Sequence, residues 1–268
     1  MAINFSQQYI TNARRCARWT PLYFRRKLYH PIRAWRKLRS RLALKKIYPS
    51  EARCYVTENF DKAAPYLQKH KWVFIENVLE PEFHRELCEN WPKKYYFDPP
   101  RDLEKSYNRG FYWRRGDDPN LRVHDPYGRY PSLVKFLNYL NSDEFLSRME
   151  KLVGGYRKLA FYSFILTDAS PGAEVIPHMD SIAKDPKTTD GINMVFFIDA
   201  TGGKNSGGLS LYRDNEAKDI IFEPENLRNS VLIYNTFVDF YHGFPPLAKN
   251  KFRWTVGASF NDRSNEPR

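Results

Sequence analysis

The second half of the chain carries His178 and Asp180, separated by Met179, then His242 and Arg253. On a β-strand residues two apart point to the same face, so an imidazole and a carboxylate spaced in this way can close on one ion. A second histidine arriving from a later strand would complete a 2-His-1-carboxylate face, which leaves positions on a non-haem Fe(II) open for a co-substrate and O₂. The tripeptide alone is a weak signal in a chain with six histidines. Taken singly, His242 reads as a satisfied core or surface histidine, and Asp180 as a cap on the polar loop 181–190.

The surrounding pattern raises the metal reading. An aromatic and β-branched run at 159–167 precedes the tripeptide, with Pro171-Gly172 as a turn. Strand-like segments follow at 192–198, 207–212, 219–222, 230–234, 241–243 and 252–260. Short strands at this spacing, separated by Gly, Asn and Pro, predict an all-β sandwich or barrel.

The order His178-x-Asp180, Gly207-Gly208-Leu209, Asn229-Ser230-x-Leu232-Ile233-Tyr234, His242-Gly243, and Arg253 eleven positions after His242 resembles the Fe(II)/2-oxoglutarate-dependent oxygenase superfamily, nearest its prolyl-4-hydroxylase-like branch. The resemblance covers residues 156–262, and more loosely the chain from Trp72 onward. It implies a mainly β fold with supporting helices, a double-stranded β-helix (jelly roll, cupin-like). It implies Fe(II) held by His178, Asp180 and His242, with 2-oxoglutarate and O₂ as co-substrates and ascorbate as an optional reductant. The implied activity is hydroxylation of a substrate C–H bond with oxidative decarboxylation of 2-oxoglutarate to succinate and CO₂. Arg253 would pair with the distal carboxylate of 2-oxoglutarate. A guanidinium fork suits a carboxylate, and Thr255, two residues on, faces the same way with a hydroxyl. Tyr162 is a further candidate for that carboxylate, although an aromatic there also reads as core. Relatives with a tyrosine ten positions ahead of the first histidine differ from this chain, which has Asp168. A different class of function is a jelly-roll binding module without turnover, carrying a membrane- or nucleic-acid-binding arm.

The 268 residues suit one such domain with additions. The formal charge of +12 suggests nucleic acid until its placement is examined. Residues 1–50 hold thirteen Lys and Arg and no acid, which leaves 30 basic against 31 acidic residues in the rest. The body is therefore neutral and nucleic acid a poor fit. Within this basic arm Ile32, Trp35, Leu38 and Leu42 recur at helical spacing, between Pro31 and Pro49. A basic amphipathic helix predicts binding to an anionic membrane surface; packing on the domain, a mitochondrial presequence and a nucleic-acid arm are the competing readings. No apolar run is long enough to span a bilayer, and no secretory signal is visible. Cys16, Cys54 and Cys88 are odd in number and scattered, which fits a reducing compartment. The expected location is cytoplasmic, peripheral on the inner face of a membrane, with a small-molecule substrate, a lipid-linked or envelope glycan, or a peptidyl residue as target.

Between arm and core, residues 51–155 read as a support region. A helix is expected at 60–70, a strand at 71–75, and a helix opened by Glu80-Pro81-Glu82 that carries Phe83, Leu87 and Trp91 on one face. Residues 93–131 are aromatic and charged without a clear period, and predict a long loop in which Tyr112, Arg114 and Arg115 hold substrate. Two helices follow at 133–140 and 142–153, the second capped by Ser142.

Overall fold

Along four central strands the side chains alternate between two environments, and this alternation divides the molecule into layers. The computed structural model describes residues 54–93, 97, 100, 105–114, 130–155, 158–180, 191–204, 208–236 and 239–262, with only the backbone of 111–114. The basic arm predicted at 1–50 lies outside the described residues.

Among the described residues ten strands form two antiparallel sheets. They are β1 (Trp72–Glu76), β2 (Asn108–Arg114), β3 (Leu159–Ala169), β4 (Val175–His178), β5 (Gly191–Ala200), β6 (Ser210–Tyr212), β7 (Ile220–Phe222), β8 (Ser230–Asn235), β9 (Tyr241–Phe244) and β10 (Arg253–Asp262). The larger sheet has the order β1-β8-β5-β10-β3-β2 and the smaller β4-β9-β6-β7. Two facing sheets of this kind make the predicted double-stranded β-helix.

Helices α1 (Asn59–Lys62), α2 (Ala64–His70), α3 (Pro81–Glu89), α4 (Pro131–Leu140) and α5 (Asp143–Leu152) accompany the sheets. Phe164 and Leu166 of β3, Ile192, Met194, Phe196 and Ile198 of β5, Val231 and Ile233 of β8, and Val256, Ala258 and Phe260 of β10 share one core with the helical Phe83, Phe136, Phe145 and Met149. Phe136 sits at the junction, its ring centroid 5.0 Å from Phe196 and 5.5 Å from Phe83. Burying each such ring stabilises the layer by on the order of 1.5–3 kcal/mol. The residues between them, such as Val195 and Phe197 of β5 and Leu232 and Tyr234 of β8, turn to the other side, where Leu209, Leu211 and Phe240 form a second core.

Several expectations are corrected. The helix at 60–70 is two helices, because Pro65 lies in the first turn of α2 and starts a new helix there. Trp91 lies past the end of α3, yet is buried and stacked on Trp254 at 5.6 Å. The stretch 93–131 is not wholly a loop: β2 pairs with β3, and its register shifts between Gly110 and Trp113, which erases the period-2 signal. β1 and β2, both from the 51–155 segment, are the two edges of the larger sheet. Of the strand expected at 207–212, Ser210–Tyr212 is strand, Gly208 and Leu209 are not, and residue 207 lies outside the described residues. Ser142 does cap α5, its Oγ accepting from Phe145 N. Among the described residues no helix is long and apolar enough to cross a membrane.

Gly243 allows β9 to approach β4. A Cβ there would stand 2.5 Å from the Val175 carbonyl oxygen and 3.0 Å from the Pro177 nitrogen, both backbone atoms. Gly243→Ala should therefore force the strands apart and destabilise the fold by about 1–3 kcal/mol. The midpoint of urea unfolding measures this, and an unchanged midpoint would show that β4 yields freely.

Candidate metal centre

His178 closes β4, and His242 is its cross-strand partner on β9. The two ring centroids are 4.3 Å apart. Asp180 is not on the strand, as the spacing argument assumed, but in a bend two residues beyond it. It still reaches the pair: Asp180 Oδ1 lies 3.4 Å from His178 Nε2 and 3.7 Å from His242 Nε2. One donor atom from each of the three residues falls within 4.8 Å of the others.

The protonation states fit a cation. The ring nitrogen Nδ1 of His178 lies 2.8 Å from the Ile176 carbonyl and donates to it, which fixes the tautomer and leaves the lone pair on Nε2. That Nε2 is buried and has no hydrogen-bond partner among the described residues. Burial pushes the His242 imidazole down to about 4, more than Asp180 raises it, so the ring is neutral at physiological pH. Burial of Asp180 would raise its carboxyl, but His178, His242, Lys105 and Tyr234 outweigh that and hold it well below the usual carboxylate range. Two imidazoles and one carboxylate are a donor set for a divalent first-row metal.

A cavity of about 180 Å³ opens between the sheets beside these residues. Its wall on the larger sheet includes Thr167, Asn193, Tyr234, Arg253 and Thr255. Arg253 is 9% exposed, and its guanidinium carbon lies 4.9 Å from the Phe197 ring centroid and 4.6 Å from that of Phe244. Its Nε has no hydrogen-bond partner among the described residues. Burial lowers the guanidinium to about 10, against the opposing effect of Tyr107 and Tyr234, and it stays charged at neutral pH. A buried cation set between two ring faces, with no carboxylate partner among the described residues, is suited to an anionic ligand. Thr255 is hydrogen-bonded to Thr167 across β10 and β3. One hydroxyl donates and the other accepts, so the acceptor keeps a proton for a third partner.

Not every expected residue is here. Tyr162 does not line the cavity; Ile165 and Thr167 of the same strand do. Tyr162 lies five positions before Thr167, an odd separation, so strand alternation itself places it off the face that Ile165 and Thr167 share. Tyr112 and Arg114 fall on β2, where Arg114 pairs with Ser163 through the backbone. Arg115 lies outside the described residues.

The structure adds groups that sequence reasoning did not single out. Asn193 Nδ2 donates to Asp180 Oδ2 at 2.7 Å, and the Tyr234 hydroxyl donates to the same oxygen. Lys105 Nζ lies 3.9 Å from Asp180 Oδ1, and Tyr107 also faces the cavity. The sequence held two signals, Asn193 as a polar residue within the apolar run 192–198 and Tyr234 at the end of the 229–234 motif.

No protein-family model matches the chain, and no curated protein matches it. Solved structures do. A prolyl-4-hydroxylase from Pseudomonas putida aligns over 76% of this chain and 99% of its own, with a TM-score of 0.51 and 13% identity. A prolyl hydroxylase from Trichoplax adhaerens, in complex with a hypoxia inducible factor oxygen degradation domain peptide fragment, aligns over 79% and 95%, with a TM-score of 0.56 and 14% identity. An oxidoreductase of the 2OG-Fe(II) oxygenase family from Burkholderia pseudomallei aligns over 82% and 96%, with a TM-score of 0.53 and 10% identity. At such identities the likeness establishes the fold. Fold and donor set together define a double-stranded β-helix protein with a 2-His-1-carboxylate constellation.

Arg253→Met keeps comparable bulk and removes the buried charge. It is expected to stabilise the ligand-free protein by on the order of 1 kcal/mol. Urea unfolding measures this; a loss of stability would show that the guanidinium supports the fold rather than a ligand.

Proposed function

We propose that this chain is an Fe(II)/2-oxoglutarate-dependent dioxygenase that hydroxylates a C–H bond of its substrate. The observation that carries this reading is the convergence of His178, Asp180 and His242 beside a cavity whose wall includes the buried Arg253, whose Nε has no hydrogen-bond partner among the described residues. The fold shared with prolyl hydroxylases and a 2OG-Fe(II) oxygenase supports it.

His178, Asp180 and His242 would hold the iron. Arg253 would anchor the distal carboxylate of 2-oxoglutarate through its guanidinium N–H groups, with Thr255 or Thr167 adding a hydroxyl donor. When bound, iron, 2-oxoglutarate and O₂ supply substrate hydroxylation coupled to oxidative decarboxylation of 2-oxoglutarate to succinate and CO₂. The protein's part is to keep the His242 imidazole neutral and the Asp180 carboxylate ionised, and to wall the reacting groups from bulk water between two sheets. Of the target classes, the peptidyl one is supported by the peptide complex of the Trichoplax neighbour; a lipid-linked or envelope glycan follows from the basic arm alone. Tyr112, Arg114 and Arg115 remain the proposed substrate contacts, on or just after the edge strand β2. For the arm we infer an anionic membrane surface on the cytoplasmic side, because thirteen basic residues without an acid accompany apolar residues at helical spacing in the sequence.

Wild-type protein given Fe(II) and 2-oxoglutarate without oxygen should develop a weak visible charge-transfer band. His178→Ala and Asp180→Ala should each lose both that band and substrate-dependent succinate release. Turnover retained in either purified variant would overturn the assignment, and a wild-type protein that shows neither signal would be a binding module. Full-length protein should float with liposomes containing phosphatidylserine, and protein lacking residues 1–50 should not. Equal flotation of both would remove the membrane role of the arm.

A further inference from the structure

We propose that Asn193 and Tyr234 are positioning residues that hold the Asp180 carboxylate so that it offers a metal one oxygen only; this rests on the reading of the site as an iron centre. Asp180 lies in a bend past the end of β4, followed by residues 181–190, so no strand ladder orients its side chain. Its orientation comes from the opposite sheet. Asn193 on β5 and Tyr234 on β8 are direct cross-strand partners. Both residues line the cavity.

The two donors meet on one atom. Asn193 Nδ2 lies 2.7 Å from Asp180 Oδ2, and the Tyr234 hydroxyl donates to that same oxygen. A carboxylate oxygen has two lone pairs, so these bonds saturate Oδ2. The other oxygen, Oδ1, faces the imidazoles at 3.4 and 3.7 Å, with Lys105 Nζ at 3.9 Å. The carboxylate is thus divided by function, one oxygen committed to the protein and one left for an ion.

The division matters because coordination positions are few. Three single-atom donors leave three of six positions open, enough for a chelating co-substrate and one further ligand. A carboxylate free to rotate could turn both oxygens to the ion and fill a fourth. The Asn193–Tyr234 pair keeps that position vacant, and it fixes Oδ1 before metal arrives.

Co(II) alone is the probe, titrated into full-length wild type, Tyr234→Phe and Asn193→Leu, with affinity and the visible ligand-field spectrum as readouts. Tyr234→Phe keeps the ring that packs 5.9 Å from Phe240 and 5.1 Å from His242. It should nevertheless bind Co(II) roughly 10- to 100-fold more weakly, as should Asn193→Leu, with an altered spectrum in each. Folded variants with wild-type affinity and spectrum would overturn the clamp and leave the metal site standing. A wild type that binds no Co(II) would overturn both the clamp and the iron reading. Loss of fold in both variants, seen by circular dichroism, would make the pair a structural support and overturn the proposal as well.

Discussion

The pairing of β4 with β9 is the constraint on which the site depends. It sets His178 directly opposite His242, and it is possible only because residue 243 has no side chain to strike the β4 backbone. Without that close approach the two imidazoles would separate, and no placement of Asp180 could restore a common point. A glycine beside a histidine is therefore as much a part of the centre as the donor atoms.

The larger sheet performs two tasks by parity. One face carries Phe196, Val231, Val256 and their neighbours into a core shared with the helices. The alternate residues carry Asn193, Tyr234, Arg253 and Thr255 to the cavity. Since adjacent residues on a strand face opposite ways, the stabilising layer and the chemical layer are fixed by the same register. A slip of one residue would bury the polar set against the helices and expose the aromatic core.

The cavity wall is electrostatically expensive. It keeps a guanidinium without a carboxylate partner among the described residues, a buried imidazole that burial holds neutral, and a carboxylate kept ionised by its neighbours. Such an arrangement contributes little to folding and is explained by ligands that carry compensating charge. The extensive aromatic packing on the opposite face of the sheet offsets it.

Periodicity and residue type determined much of this protein unaided. The later strands, the Ser142 cap, the all-β class and the candidate donors His178, Asp180 and His242 were legible because alternation and turn residues act locally, over a few positions. The strand β2 was not legible, since its shifted register hides the alternation, and Tyr162 is absent from the cavity because it stands at odd spacing from the lining residues Ile165 and Thr167. Tertiary structure alone decided that Asp180, off the strand, is aimed by Asn193 and Tyr234, residues 13 and 54 positions away in the chain. Hydrogen bonds between such distant residues depend on the pairing of β5 with β8 and the facing of two sheets, and nothing local in the sequence encodes either.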